Sequence, residues 1–332
     1  MSRFTVLITD YAWPTLAIEE EIFKQMDSTL LVARSGDEAE LIELAPQADA
    51  ILTCWKTVTP AVVDAATRCR HISRYGVGLD NIAVDRATER GIVVTNVPDF
   101  CVEEVSDHAM ALLLACARGV VGFDRATRQG HWDNKGQGTL PRLRGQTLGL
   151  IGFGNSARAL LPKAHGFGLR VIAYTPRLAI DALSAPDIAT QDLDFLLQEA
   201  DYISIHAPLN DATRHLLNER AFRYMKPTAY VINTSRGAII DETALLKALD
   251  NGWLHGAALD VLCQEPPDPH HPLLHREDVL ITPHTAFYSG TAIKELARKA
   301  AQHVAQTLQG EVPKHIVNPQ VLTQPNCRLQ KR

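Results

Sequence analysis

The 332-residue sequence has no excess of basic residues and no long apolar run. Its 33 Lys and Arg are outnumbered by 38 Asp and Glu, and a net charge of -5 gives no general attraction to nucleic acid or to an anionic membrane. The most apolar stretch, residues 109–117, is too short to span a bilayer. No secretory signal precedes the first strand-like run, residues 4–10. We therefore expect neither a nucleic-acid partner nor a membrane partner.

Cysteine is also scarce, and its spacing matches no common metal or disulfide pattern. The six cysteines include no Cys-x-x-Cys pair, and most of them stand in apolar, core-like surroundings: Cys54, Cys69, Cys101, Cys116, Cys263 and Cys327. Reduced, mostly buried thiols are typical of a cytoplasmic protein. We expect that compartment, and we expect no metal site.

A glycine-rich turn stands in the middle of the chain, within residues 147–177. The segment has the order strand, turn, helix, strand. In such a turn the first glycine allows a tight bend, the second lets the backbone approach a pyrophosphate, and a small third residue lets the helix pack on the strand. An ordinary βα turn is the alternative, but the flanking elements favour a dinucleotide site. The predicted cofactor contacts are Gly152, Phe153, Gly154, Asn155, Ser156 and Ala157, with helix amides facing the phosphates.

The end of the second strand lacks the acidic residue that usually binds the adenosine ribose. The residues there are Thr175, Pro176 and Arg177. Without a carboxylate nothing repels a 2′-phosphate, and the guanidinium of Arg177 can bind a phosphate through two N–H groups. The sequence therefore favours NADP(H) over NAD(H). The alternative is that Arg177 is a solvated surface residue and that backbone groups hold the ribose.

Short β-rich runs alternate with helical patterns on both sides of this turn, an order typical of βαβ units and parallel sheets. About 100 residues of this alternation precede the cofactor segment, and residues 102–128 predict one long helix. The amphipathic stretch 289–309 is long enough to fold back onto the first part, and the polar tail after Val317 is expected to be loosely ordered. We predict an α/β protein with two Rossmann- or flavodoxin-like doubly wound domains. Residues 102–288 form the cofactor domain, inserted into a domain made of 1–101 and 289–332.

Three residues in the second half have the chemistry of hydride transfer to a 2-oxo acid. Arg236 in VINTSRG, Glu265 in ALDVLCQEPP and His284 in ITPHTAF each follow a predicted parallel strand, where open α/β sheets form their ligand crevice. A neighbouring carboxylate favours a protonated imidazole and orients it, so Glu265 would prepare His284 as general acid. The guanidinium of Arg236 would bind the substrate carboxylate and polarise the carbonyl.

Taken singly, each of these residues has a structural alternative. His284 could cap a strand end, Glu265 could be a solvated loop acid, and Arg236 could belong to an ordinary turn. Their common position at strand ends, downstream of a dinucleotide turn, favours catalysis.

The motifs GFGNSA, NTSRG, ALDV…EP and PHTA together resemble the D-isomer-specific 2-hydroxyacid dehydrogenases, and the resemblance extends over roughly residues 75–317. Within the family, residues 75–109 and the run HTAFYS are most similar to the branch of the C-terminal-binding-protein corepressors and their bacterial relatives. The resemblance implies an NAD(P)-dependent enzyme that interconverts a small 2-oxo acid and its D-2-hydroxy acid. It also implies an NAD(P) domain inserted into a substrate domain, and a homodimer built through the NAD(P) domains.

The resemblance implies specific roles. Arg236 binds the substrate carboxylate, His284 is the acid/base and Glu265 is its partner. A substrate-domain loop holds the carboxylate with backbone amides: Tyr75, Gly76, Val77 and Gly78. From its own chemistry, Arg74 could serve a phosphorylated or dicarboxylate substrate, and Phe287 contributes to the loop shape around the substrate side chain. The remaining positions line the cofactor, and Asp260 among them faces the nicotinamide carboxamide: Ala207, Pro208, Thr213, Thr234, Ser235 and Asp260.

The sequence departs from the family pattern at two positions. Thr175 replaces the usual ribose-binding Asp, and Phe287 replaces the Trp typical of the corepressor branch. Glu265, by contrast, argues against formate dehydrogenase, where the histidine partner is typically Gln. An alternative function is that of a nucleotide-sensing, corepressor-like binding protein, because fold does not decide function. The physiological direction of the reaction stays open.

Overall fold

The computed structural model describes residues 3–134, 140–175 and 192–329, together with the backbone of 189–190. It divides into two compact units, Met1–Cys101 with Tyr288–Arg332, and Val102–Phe287. Tyr288 belongs to the first unit, whereas the sequence placed it in the second. Each unit contains one sheet in which every strand pair is parallel, so the prediction of an α/β fold is confirmed.

The first unit has a five-stranded sheet of order β2-β1-β3-β4-β5, the flavodoxin-like arrangement. Strands and helices are numbered in chain order throughout. The strands are β1 (Phe4–Ile8), β2 (Ser28–Val32), β3 (Ala50–Thr53), β4 (His71–Arg74) and β5 (Val93–Thr95). The helices between them are α1 (Ala17–Lys24), α2 (Glu38–Leu44), α3 (Pro60–Ala65) and α4 (Val84–Glu89).

The second unit has a seven-stranded sheet of order β12-β11-β10-β9-β6-β7-β8. Its strands are β6 (Thr147–Ile151), β7 (Arg170–Tyr174), β8 (Ala189–Thr190), β9 (Tyr202–Ile205), β10 (Tyr230–Asn233), β11 (Gly256–Leu259) and β12 (Val279–Ile281). Its helices are α5 (Val102–Ala117), α6 (Val120–Arg128), α7 (Asn155–Gly166), α8 (Leu193–Glu199), α9 (Glu219–Tyr224) and α10 (Glu242–Asp250).

Both faces of this second sheet are covered, as parallel sheets require. Side chains of α5 and α7 pack on one face against Tyr202 and Ile232, and side chains of α8 to α10 pack on the other against Ile203 and Val231. β7 pairs with one edge of β6 and β9 pairs with the other edge, so the chain first extends the sheet on one side of β6 and later on the other. Ligands of open α/β sheets bind at the carboxyl ends of the strands beside such a switch point.

The single helix predicted over 102–128 is wrong, because the structure has two helices separated by a bend of 59°. Gly119 adopts a left-handed conformation with φ of 58°, which ends α5 and starts α6. Six residues of α5 are buried, whereas α6 has none. Among the described residues no single helix is long and apolar enough to cross a membrane, and only this bent pair meets that requirement jointly.

The C-terminal part of the chain returns to the first unit. The last helix, α11 (Gly290–Leu308), packs on α1 and β4, and the Ser289 side chain caps it. The expectation of a loosely ordered tail after Val317 is wrong. The Asn318 side chain accepts from the Val94 amide and donates to the Ile92 carbonyl, both at 2.9 Å, and Val321 is fully buried. The tail thus pairs with the edge of β5. The polar composition of the tail did not predict this pairing.

Candidate active site

The glycine-rich turn between β6 and α7 has the backbone that a pyrophosphate requires. Gly152 has φ of 91°, and a Cβ there would lie 2.8 Å from the backbone nitrogen of Ala207. A Cβ on Gly154, by contrast, would meet no atom within 4 Å. The space beside the Gly154 Cα is therefore open. No side chain caps the N-terminus of α7. These features fit a dinucleotide, because its phosphates can approach the backbone and complete the helix N-terminus.

Several of the residues predicted to line the cofactor follow β9 or β10: Ala207, Pro208 and Thr213 after β9, and Thr234 and Ser235 after β10. The Thr213 hydroxyl donates to the Pro208 carbonyl at 2.6 Å, and the Ser235 hydroxyl donates to the Ile205 carbonyl at 2.8 Å. These bonds fix both strand ends. The buried hydroxyl of Thr234 has no hydrogen-bond partner among the described residues, as expected of a group that meets a ligand.

The end of β7 is described only in part. Thr175 follows the strand and is buried, with 6% of its surface exposed. Arg177, the predicted phosphate ligand, lies outside the described residues.

His206 is a residue of this region that the sequence did not single out. Its ring lies between two hydroxyls, 2.9 Å from Ser204 Oγ and 3.3 Å from Ser156 Oγ. Burial lowers the pKa of His206 to about 4, so the ring is neutral at physiological pH. It ties the end of β9 to the glycine-rich turn. No local pattern marks such a contact, because Ser156 and His206 are 50 residues apart.

Arg236 follows β10 in a loop that packs closely on the loop after β11. A Cβ on Gly237 would lie 2.0 Å from the carbonyl carbon of Leu262, so only glycine allows this approach. The guanidinium of Arg236 donates to the Ser235 carbonyl at 2.8 Å, and the Arg236 carbonyl accepts from the Asn233 side chain at 2.9 Å. The cation is thus held by the strand end and placed beside the loop that contains Glu265.

Glu265 and His284 form a direct contact. Nδ1 of His284 lies 2.5 Å from Oε2 of Glu265, and Oε1 of Glu265 accepts from the Leu262 amide at 3.0 Å. Both side chains are partly exposed, by 21% for His284 and 34% for Glu265. The edge of the Phe287 ring faces the imidazole at a centroid distance of 6.2 Å. Glu265 thus contacts the Nδ1 side of the imidazole and fixes the orientation of the ring.

Asp260 organises the loop that contains His284. Its carbonyl accepts from the His284 amide at 2.8 Å, and its carboxylate accepts from the Thr285 and Ala286 amides at 2.9 and 2.8 Å and from the Thr282 hydroxyl at 2.5 Å. Burial raises the pKa of Asp260, but these bonds and His108 outweigh it and hold the pKa below its usual value. His284 itself has a left-handed backbone, with φ of 53°. The carboxylate of Asp260 thus supports a backbone conformation that few residues other than glycine adopt.

The predicted substrate loop of the first unit follows β4. The carbonyls of Tyr75, Gly76 and Val77 all accept hydrogen bonds, from the Arg74 guanidinium, from the Val97 amide at 2.9 Å and from the Asn96 side chain at 2.7 Å. The N–H groups of Gly76, Val77 and Gly78 donate to no acceptor in the described residues. Backbone amides without an acceptor in the protein can donate to a bound anion. Arg74 is 5% exposed and its guanidinium lies 5.7 Å from the Trp55 ring.

No group of three or more His, Cys, Asp or Glu among the described residues has the geometry of a metal site. All six cysteines are free thiols.

Comparison with known proteins gives the family. The family model for the D-isomer specific 2-hydroxyacid dehydrogenase NAD binding domain matches residues 110–286. The glyoxylate reductase of Thermofilum pendens is 40% identical over 289 residues, which is 85% of each chain. The chain belongs to the D-isomer-specific 2-hydroxyacid dehydrogenase family. The glyoxylate reductase of Pyrococcus furiosus is 35% identical over 320 residues, covering 93% of this chain and 95% of the relative.

A solved structure supports the same family at the level of fold. It is an NADPH-dependent glyoxylate/hydroxypyruvate reductase from Sinorhizobium meliloti in complex with NADP and malonate, with a TM-score of 0.86 and 27% identity. The match covers 100% of this chain and 99% of that one. The protein is thus an NAD(P)-dependent 2-hydroxyacid dehydrogenase with a small 2-oxo or 2-hydroxy acid as substrate. The similarity to the corepressor branch stays a prediction.

Proposed function

We propose that this dehydrogenase reduces glyoxylate to glycolate, or a similarly small 2-oxo acid to its D-2-hydroxy acid, with His284 as general acid. The observation that supports this most directly is the 2.5 Å contact between His284 and Glu265, beside the loop of Arg236. The names of the curated relatives agree with a small substrate, because both relatives described above are glyoxylate reductases.

The bound nicotinamide supplies the hydride, and the residues of the chain supply the remaining chemistry. The proposal assigns Nε2 of His284 to the carbonyl oxygen, where it donates a proton in reduction and removes one in oxidation. Glu265 holds the ring through Nδ1 and stabilises its protonated form. The guanidinium of Arg236 binds the substrate carboxylate and polarises the adjacent carbonyl. The unpaired amides of Gly76, Val77 and Gly78 are proposed as further donors to that carboxylate.

The proposed cofactor preference is for NADP(H). Thr175 supplies no carboxylate at the end of β7, so no negative charge opposes a 2′-phosphate. The Sinorhizobium reductase, whose structure contains NADP, agrees with this choice. Arg177 is proposed as the phosphate ligand on its sequence position alone.

The proposed assembly is a homodimer formed through the second unit, in the cytoplasm. Helix α6 has no buried residue, and Trp132 just after it is 89% exposed. An exposed helix followed by a fully exposed indole is typical of a surface that a partner covers. The free thiols agree with a reducing compartment.

The test of the proposed function is turnover of a substrate panel by the purified protein. NADPH and NADH oxidation are followed with glyoxylate, hydroxypyruvate, pyruvate, phenylpyruvate, 2-oxoisocaproate and 2-oxoglutarate, and each chiral 2-hydroxy acid product is resolved on a chiral column. We expect glyoxylate or hydroxypyruvate to have the highest kcat/KM, and every chiral product to be the D isomer. Cofactor binding without turnover of any compound would contradict the proposal and favour the nucleotide-sensing alternative.

A further inference from the structure

The first unit contains a buried acid that the proposed chemistry does not use. Glu19, in the first turn of α1, is fully buried, and Phe23 one turn later is buried on the same side of the helix. A carboxyl group therefore occupies a position where an amphipathic helix normally has an apolar residue. Burial raises the pKa of Glu19, although the hydrogen bonds of the carboxyl act in the opposite direction.

The partner of this carboxyl is Tyr75, the first residue of the predicted substrate loop. The Tyr75 hydroxyl donates to Oε1 of Glu19 at 3.0 Å, and the tyrosine is 2% exposed. The Trp13 ring packs edge-on against the Tyr75 ring, with 4.8 Å between centroids. Oε2 of Glu19 meets no donor at hydrogen-bond geometry among the described residues, although the Trp13 indole is near enough to lower the pKa of the acid.

Burying a carboxyl group that is only partly hydrogen-bonded is unfavourable for stability. An apolar side chain at position 19, with phenylalanine at 75, would avoid that cost. The Glu19–Tyr75 pair is therefore better explained by a role in fixing the position of Tyr75. The Tyr75 backbone is held too, because its amide donates to the Thr53 carbonyl at 2.8 Å and its carbonyl accepts from Arg74.

We propose that Glu19 is a positioning residue, which through the Tyr75 hydroxyl holds the amides of Gly76, Val77 and Gly78 in the geometry that binds the substrate carboxylate. The inference rests on the proposed function. Gly76 has φ of 145°, a conformation that residues with a side chain rarely adopt, and a Cβ there would lie 3.1 Å from the Arg74 guanidinium. A change in the backbone conformation of Tyr75 would move the amides of Gly76, Val77 and Gly78 together, because these residues follow it directly in the chain.

The experiment compares Tyr75→Phe, Glu19→Leu and Glu19→Gln with the wild type, using glyoxylate. Phenylalanine keeps the ring and removes the hydroxyl, leucine removes the acceptor, and glutamine keeps an acceptor oxygen. We expect the KM for glyoxylate to rise about three- to tenfold in the first two variants and to stay within about twofold in Glu19→Gln. The KM for the nicotinamide cofactor is expected to be unchanged, and kcat to stay within about twofold, in all three.

The matched control is Thr88→Val in the same unit. The Thr88 hydroxyl donates to the Val84 carbonyl at 2.8 Å and accepts from the Asn318 side chain at 2.9 Å, so this variant also loses buried hydrogen bonds. We expect it to lower Tm without changing the KM for glyoxylate. If Tyr75→Phe likewise lowers Tm and leaves that KM unchanged, the pair is merely structural and the inference is overturned. A wild type inactive on the whole substrate panel overturns the proposed function as well, which separates the two failures. Should Glu19→Leu fail to fold, Tyr75→Phe decides alone.

Discussion

Glu265 bridges His284 and the backbone of its own loop, with one carboxylate oxygen 2.5 Å from Nδ1 of His284 and the other 3.0 Å from the Leu262 amide. The carboxylate is thereby fixed before it orients the imidazole. The Glu265 carboxylate contributes to catalysis in two ways: it orients the His284 ring and it places a negative charge beside it. Glu265→Gln separates the two, because glutamine retains the shape of the side chain and loses its charge.

We expect Glu265→Gln to lower kcat by about ten- to a hundredfold, since a neutral amide still orients the ring but no longer stabilises its protonated form. The KM for the nicotinamide cofactor is expected to stay the same. Steady-state kinetics with glyoxylate provide the measurement. Glu277→Gln is the matched control, because Glu277 pairs with Arg125 at the surface and its side chain is 87% exposed. Equal kcat values for the two variants would contradict the role of Glu265.

Asp260→Asn tests the support of the His284 loop. The amide nitrogen of asparagine cannot accept from the Thr285 or Ala286 amide, so one backbone N–H loses its partner. We expect the second unit to be destabilised by about 1–3 kcal/mol and kcat to fall with it. Thermal unfolding and kinetics are measured on the same preparation. Asp241→Asn is the control, because Asp241 caps α10 as an acceptor and asparagine caps equally well. A variant at 260 as stable and active as the control would show that the carboxylate does not organise the loop.

Thr175→Asp tests the cofactor preference. The wild type is expected to have a higher kcat/KM with NADPH than with NADH, and the variant to shift that ratio toward NADH by at least about tenfold, because a carboxylate repels the 2′-phosphate and binds the ribose hydroxyls. Thr175→Asn has nearly the same shape as the aspartate variant without the charge, and it is expected to retain the NADPH preference. A wild type that prefers NADH would contradict the assignment.

Stability is expected to fall with pH below neutrality because of buried histidines. Burial lowers the pKa of His71 to about 3 and those of His206 and His303 to about 4, below the ordinary value of 6.5. Between pH 6.5 and these values the unfolded chain binds more protons than the folded one, so the free energy of unfolding rises with pH in that window. This loss of stability is absent above pH 6.5, amounts to about 1–2 kcal/mol per histidine at pH 5, and is complete only below the folded-state pKa values.

The corresponding measurement is Tm at pH 7.5 and at pH 5, without cofactor. We expect His206→Gln to show a smaller drop between the two pH values than the wild type, because one of the three groups no longer titrates. His131→Gln changes an exposed histidine and is expected to leave the drop unchanged. Identical drops for both variants would show that His206 does not contribute.

The sequence predicted those features of the fold and the site that depend on residues close together in the chain. Gly152 and Gly154 mark the turn through backbone conformation, and Arg236, Glu265 and His284 follow strands whose apolar runs are contiguous. The contact between Glu265 and His284 followed from the rule that parallel strands end at one edge of the sheet.

Contacts between distant residues were not predictable in this way. The bend at Gly119 was missed because an isolated glycine in a helical pattern is compatible with either outcome. The Asn318 contact to β5, the His206 contact to Ser156 and the Glu19 contact to Tyr75 join residues that no periodicity relates. Each of them places a polar group in the core, where its partner is determined by the tertiary structure alone.

Proton transfer by His284 is tested by the kcat of His284→Asn with glyoxylate, measured alongside the Kd for NADPH. We predict that kcat falls by about 10² to 10⁴ while the Kd, measured from NADPH fluorescence, stays within about twofold of the wild type. His270→Asn, which changes an exposed histidine, serves as the control with unchanged kcat. Turnover by His284→Asn within about threefold of the wild type would contradict the account.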